Sequence, residues 1–154
     1  MDGLLIPEDP ETSALAGRMS DIPYMLSTNS EDMAPETLHP MAYEWTLLSA
    51  KHNHLPAYCF RFERQLPGDD SGAFHSAELW YTMGSLHRSW RPMEPWDDVL
   101  CDALVSSIIA FAKTGCPQNP LVPAWSPVRE NDRRMMIFGD NAIEMRETEG
   151  LESF

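Results

Sequence analysis

A histidine and two carboxylates carry the chemistry that this sequence can offer. His75 follows Pro67-Gly68-Asp69-Asp70-Ser71-Gly72, a run of turn formers, and precedes an apolar segment from Ser76 to Met83 that reads as helix. A side chain on a loop held between regular elements is placed as catalytic groups usually are. Glu31 and Asp32 stand in an earlier loop, directly after a strand-like segment. An imidazole beside a carboxylate can serve as a general base, with the acid fixing the ring's orientation. His39, His52 and His54 have no carboxylate motif joined to them and read as solvated side chains rather than metal ligands.

The elements that would position these groups follow from periodicity and breakers. Asp21 to Ser27 has the short apolar character of a strand buried on both faces, with Pro23 near its start where a missing amide is tolerated. From Pro35 to Lys51, Leu38, Met41, Ala42, Trp45, Leu48 and Ala50 recur at mostly helical spacing. Ala57 to Glu63 is a second strand, rich in aromatic residues. Strand, helix, strand is a parallel βαβ unit with a right-handed crossover, so the loop with Glu31 and Asp32 and the loop with His75 leave the sheet at one edge. The reading leaves open which of the two carboxylates meets the imidazole.

Further along, Asp97 to Thr114 forms the longest helix, with acidic residues at the positive end of its dipole, Lys113 at the negative end and Gly115 as a stop. Met135 to Phe138 and Ala142 to Met145 flank Gly139-Asp140-Asn141 as a small terminal hairpin. Residues 1–20 and 147–154 read as irregular, apart from a helical turn or two at Ser13 to Gly17. The 154 residues fit one domain with one core. A formal net charge of −13, with no basic cluster to offset it, argues against nucleic acid and anionic membranes as partners. No apolar run reaches bilayer-spanning length and the N-terminus lacks a secretory leader pattern, which sets a cytoplasmic expectation. Cys59, Cys101 and Cys116 lack C-x-x-C spacing and read as three reduced thiols, with no metal and no other cofactor implied.

Two longer motifs add a resemblance. Gly72-Ala73-Phe74-His75-Ser76-Ala77-Glu78-Leu79, followed by Trp80-Tyr81 and Gly84, resembles the segment around the catalytic histidine of the type-B carboxylesterase (cholinesterase-like) family of α/β-hydrolases. Phe111-Ala112-Lys113-Thr114-Gly115-Cys116-Pro117-Gln118-Asn119-Pro120, with Pro123-Ala124-Trp125 after it, resembles that family's next landmark. The resemblance implies the C-terminal part of an α/β-hydrolase fold, one partial domain over residues 1–154. It also implies that His75 is the base of a Ser-His-acid triad and that Asp32 falls at the acid's position, with Glu31 the adjacent alternative.

Phe74 and Tyr81 are then candidates for a pocket that takes a small-molecule carboxylic ester, Trp80 reads as core, and Glu78 as a local support for the His75 loop. No G-x-S-x-G pentapeptide occurs in the sequence, and a glycine-rich oxyanion loop is missing as well. Gly68-Asp69-Asp70-Ser71-Gly72 has the order G-x-x-S-G, so Ser71 reads as a turn residue. The expectation is therefore a chain that holds two triad members and pairs with an N-terminal segment bearing the serine. The alternative is a truncated, inactive binding or assembly module. A first strand with one open edge predicts self-association of the isolated chain.

Overall fold

The computed structural model describes residues 7–148. Its first element, α1 (Pro10–Leu15), starts earlier than the turn expected at Ser13, because the Asp9 carboxylate accepts the Thr12 amide at 2.9 Å and Pro10 occupies the first turn, where no amide is needed. After it come β1 (Tyr24–Asn29), α2 (Pro35–Lys51) and β2 (Ala57–Phe62). The two strands are parallel, with Tyr24 opposite Ala57 and Asn29 opposite Phe62, so the expected βαβ unit is present. A short helix α3 (Leu79–Thr82), a single 3-10 turn at Leu86–Arg88 and the long helix α4 (Pro95–Thr114) lead to β3 (Arg134–Phe138) and β4 (Ile143–Glu147). The sheet order is β1-β2-β3-β4, parallel through β3 and closed by an antiparallel hairpin.

β2 divides the core because successive side chains point to opposite faces. Tyr58, Phe60 and Phe62 face the layer of α3 and α4, where they meet Tyr81, Leu100, Leu104 and Phe138. Cys59 faces α2 with Tyr43, Leu47, Met135 and Ile137. Phe62 and Phe138 have no exposed surface, and burying a side chain of that size contributes roughly 1.5–3 kcal/mol.

The sequence of α4 fixes both of its ends. Glu94 and Asp97 exchange side-chain-to-backbone bonds in a capping box, and Gly115 takes the left-handed conformation at φ 73° just past the last turn. Asp97 is also the centre of a buried network. Arg64, at the start of the loop that carries His75, donates to Asp97 Oδ1 from Nε at 2.8 Å, to Glu94 at 2.7 Å and to Asp140 at 3.2 Å. The same loop is thereby bolted to α4 and to the turn between β3 and β4.

Two expectations are corrected. β1 is not buried on both faces: it pairs only with β2 among the described residues, Tyr24 to Leu26 are half-buried and Ser27 is exposed. The segment after His75 is mostly consecutive turns, with regular helix confined to Leu79–Thr82, because Ser76 takes a positive φ of 70° that interrupts any helix begun earlier. Among the described residues no helix is long and apolar enough to cross a membrane.

Candidate active site

Parallel pairing of β1 and β2 sends the chain out of both strands at the same end, and backbone bonds continue the pairing into the loops. The Ser30 amide donates to the Phe62 carbonyl at 2.9 Å, and the Glu31 amide donates to the Ala73 carbonyl at 3.1 Å. An isolated parallel bridge between Glu31 and Phe74 follows, in a register ten residues further along the second segment. This brings Asp32 against His75 across 43 positions of sequence, with His75 Nδ1 at 2.6 Å from Asp32 Oδ1.

The carboxylate is enclosed and the imidazole is open. The Asp32 side chain is 9% exposed, whereas that of His75 is 54% exposed. Burial pushes the Asp32 carboxyl upward, but the Met33 amide, the His75 ring and the Asn29 amide together outweigh it and hold the group below its usual range. A carboxylate can only accept, so Nδ1 carries the hydrogen and Nε2 keeps its lone pair. Nε2 has no hydrogen-bond partner among the described residues, which leaves it free to take a proton from an incoming hydroxyl. Asp32 is not a helix cap: α2 starts after Ala34 without any side-chain cap bond.

Glu31 is directed elsewhere. Its Oε1 accepts from Gln65 Nε2 at 2.6 Å, and its carboxylate lies over Gly72, where an added Cβ would stand 1.4 Å from Oε2. Glu78 does not bond local backbone as expected; it accepts from Asn29 Nδ2 at 2.5 Å. Phe74 is half-buried, with its ring edge-on to Trp80 and the Arg91 guanidinium 5.6 Å from its centroid. Tyr81 is corrected from pocket to core, since it has no exposed surface and its hydroxyl donates to Asp97 at 2.6 Å. Its phenol faces the Arg64 network rather than His75.

The remaining histidine and cysteine expectations resolve into ordinary roles. His39 is not a solvated side chain: Nδ1 meets Thr28 Oγ1 at 2.9 Å, and burial, aided by Arg61, pushes its pKa down to about 4. His52 Nε2 reaches the Leu15 carbonyl at 3.1 Å. Among the described residues no group of three or more side chains is arranged to hold a metal ion. The three cysteines are free thiols, and burial pushes that of Cys59 up to about 12.

The model of the carboxylesterase family matches residues 32–152, beginning at Asp32 and running through the His75 loop and α4. The chain belongs to the carboxylesterase family. Among curated proteins, phenmedipham hydrolase from Pseudarthrobacter oxydans is 28% identical over 118 residues, which is 71% of this chain and 24% of that protein. Among solved structures, a thermophilic PNB esterase aligns with a TM-score of 0.69 at 21% identity, covering 94% of this chain and 40% of the other. An esterase from Clostridium hathewayi, described as able to hydrolyse aliphatic aromatic polyesters, aligns with a TM-score of 0.61 at 22% identity over 67% of this chain and 21% of its own. The fold is accordingly part of an α/β-hydrolase, and this carboxylesterase-family chain spans about a quarter of the length of the curated relative it matches.

Asn29, Gln65 and Gly72 are the site residues that spacing did not single out. A buried amide at a strand's end and a glycine before the histidine were the only signals available for them.

Proposed function

We propose that this chain supplies the general base, His75, and its orienting acid, Asp32, to a serine hydrolase of carboxylic esters, and that the serine and the oxyanion donors come from the part of the fold that these residues do not span. The observation that carries this reading is the 2.6 Å contact of an enclosed carboxylate with the inner nitrogen of an imidazole whose outer nitrogen faces solvent. Family membership supports the reaction class. In the reaction, the outer nitrogen takes the serine proton as the hydroxyl attacks the ester carbonyl, then returns it to the departing alcohol. Water repeats the sequence on the acyl-enzyme. Asp32 stays ionised and stabilises the imidazolium formed in each step.

The open edge of β1 and the half-buried residues along it are the natural seat for the N-terminal segment, because a parallel neighbour there would satisfy backbone groups that an edge leaves unpaired. Phe74, half-buried beside His75, is our candidate for contact with the ester's acyl or alcohol group.

The test is the hydrolysis of a nitrophenyl ester by the chain alone and after addition of a separately expressed carboxylesterase segment bearing the serine elbow. The chain alone is expected to match a free imidazole control, because the nucleophile and oxyanion donors carry most of the acceleration. Turnover is expected only in the mixture. Saturable turnover by the chain alone, abolished by a serine-directed organophosphate, would contradict the assignment.

A further inference from the structure

Asn29 is the last residue of β1 and is 2% exposed. Its backbone amide points to Asp32 Oδ2 at 3.4 Å, on the acid's side of the pair. Its side-chain nitrogen donates to the Phe74 carbonyl at 2.7 Å and to Glu78 Oε2 at 2.5 Å, one residue before and three residues after His75. Both of those partners can only accept, so the nitrogen must face them; turning the amide over would set oxygen against oxygen.

The remaining oxygen, Oδ1, is buried with no partner among the described residues. An apolar side chain of similar size would avoid that desolvation cost, so filling space does not account for an amide at this position. The segment it grips is also strained. Ser76, immediately after His75, holds a φ of 70°, a conformation that persists only where surrounding contacts impose it. Upstream of His75, the loop is tied by the Glu31 amide to the Ala73 carbonyl. Downstream, the tie between the two loops is Asn29 to Glu78.

We propose that Asn29 is the positioning residue of the base and acid pair, holding the Asp32 loop and both flanks of His75 in the one arrangement that keeps Nδ1 on the carboxylate. This rests on the reading of His75 and Asp32 as base and acid. A residue one strand-end away from the chemistry therefore sets the tautomer of the base, and with it the availability of the Nε2 lone pair.

The experiment is long-range proton–nitrogen correlation NMR of the imidazole of His75 in the full 154-residue chain, comparing wild type with D32N, N29A and N29D. N29D keeps the size of the side chain and removes both donated hydrogens, which guards against loss of folding in N29A. Wild type is expected to show the hydrogen on Nδ1, and D32N to lose that preference. N29A and N29D are expected to lose it as D32N does, while amide shifts in β2 and α4 stay in place. The Asp32 carboxyl is expected to titrate higher in both. Equal tautomers in wild type and D32N would sink the base and acid reading itself. A difference between those two, with N29A and N29D both matching wild type, would overturn the positioning role alone. Collapse of amide dispersion in both Asn29 variants would make it a folding residue and overturn the proposal too.

Discussion

Replacing Arg64, which reaches from the loop after β2 to the first turn of α4, by methionine should strongly destabilise the chain. Arg64 makes hydrogen bonds to three carboxylates, but these differ in what they leave behind. Glu94 is 59% exposed and Asp140 is 37% exposed at the side chain, so water can solvate both when the guanidinium goes, and each pair contributes about 0–1 kcal/mol. Asp97 has no exposed surface. Burial raises its carboxyl, and the Arg64 and Tyr81 bonds with the Glu94 amide bring it below its ordinary value. Without Arg64 its charge would keep only the Tyr81 hydroxyl at 2.6 Å and the Glu94 amide at 2.7 Å. A buried charge stripped of its partner costs about 3–5 kcal/mol, so Asp97 dominates the effect. Against a typical total of about 5–15 kcal/mol that is a large share. Urea unfolding followed by tryptophan fluorescence should show the midpoint fall by roughly 1–5 M for a slope near 1–3 kcal/mol/M. R64M/D97N should recover most of the loss, since an amide carries no charge to strand. A loss below about 1 kcal/mol in R64M, or no recovery in the double variant, would refute the reasoning.

Gly72→Ala should cost about 2–3 kcal/mol in the same assay, combining a left-handed φ of 63° with a Cβ placed on the Glu31 carboxylate; E31A/G72A should retain only the backbone part, about 1–2 kcal/mol. Because the folded Asp32 carboxyl lies below its unfolded value, its contribution is fully present above about pH 4 and is lost as pH falls through the folded value. Stability of D32N should therefore fall less steeply than that of wild type below about pH 4, and parallel acid curves would contradict the attribution. Hydrogen exchange should be faster in Tyr24–Asn29, an edge strand, than in the central turns of Pro95–Thr114, and equal protection would argue that another segment covers the edge.

How much of this was legible depended on whether the controlling contact was local. The helix from Asp97 carried its own signals, namely acidic first turn, apolar face and Gly115, and the structure adds only Pro95 and Trp96 at its start. The βαβ unit followed from period and breakers, and it alone predicted that Glu31, Asp32 and His75 share one edge. The choice of Asp32 over Glu31 as the imidazole's neighbour was not readable from adjacent carboxylates, since Gln65 and Gly72 draw Glu31 away through contacts 34 positions distant and across a glycine. The turns after His75 resemble helix in sequence because Leu79, Trp80 and Tyr81 are apolar, and the positive φ at Ser76 has no residue-level signal. Tyr81 is hidden for a similar reason: an aromatic near an imidazole suits a pocket, and only the tertiary network reveals that its hydroxyl serves Asp97.

A chimera reads the proposed roles of His75 as base and Asp32 as its acid in turnover itself. Residues 21–148 of this chain would replace the equivalent segment of the thermophilic PNB esterase, which aligns along 94% of the chain. The chimera and its H75A, D32N and E31Q variants would be assayed for kcat on a nitrophenyl ester. Turnover is expected in the parent chimera, with a loss on the order of 10⁶-fold in H75A and on the order of 10⁴-fold in D32N, and little change in E31Q. An H75A chimera that turns over like its parent, or a greater loss in E31Q than in D32N, would contradict those roles.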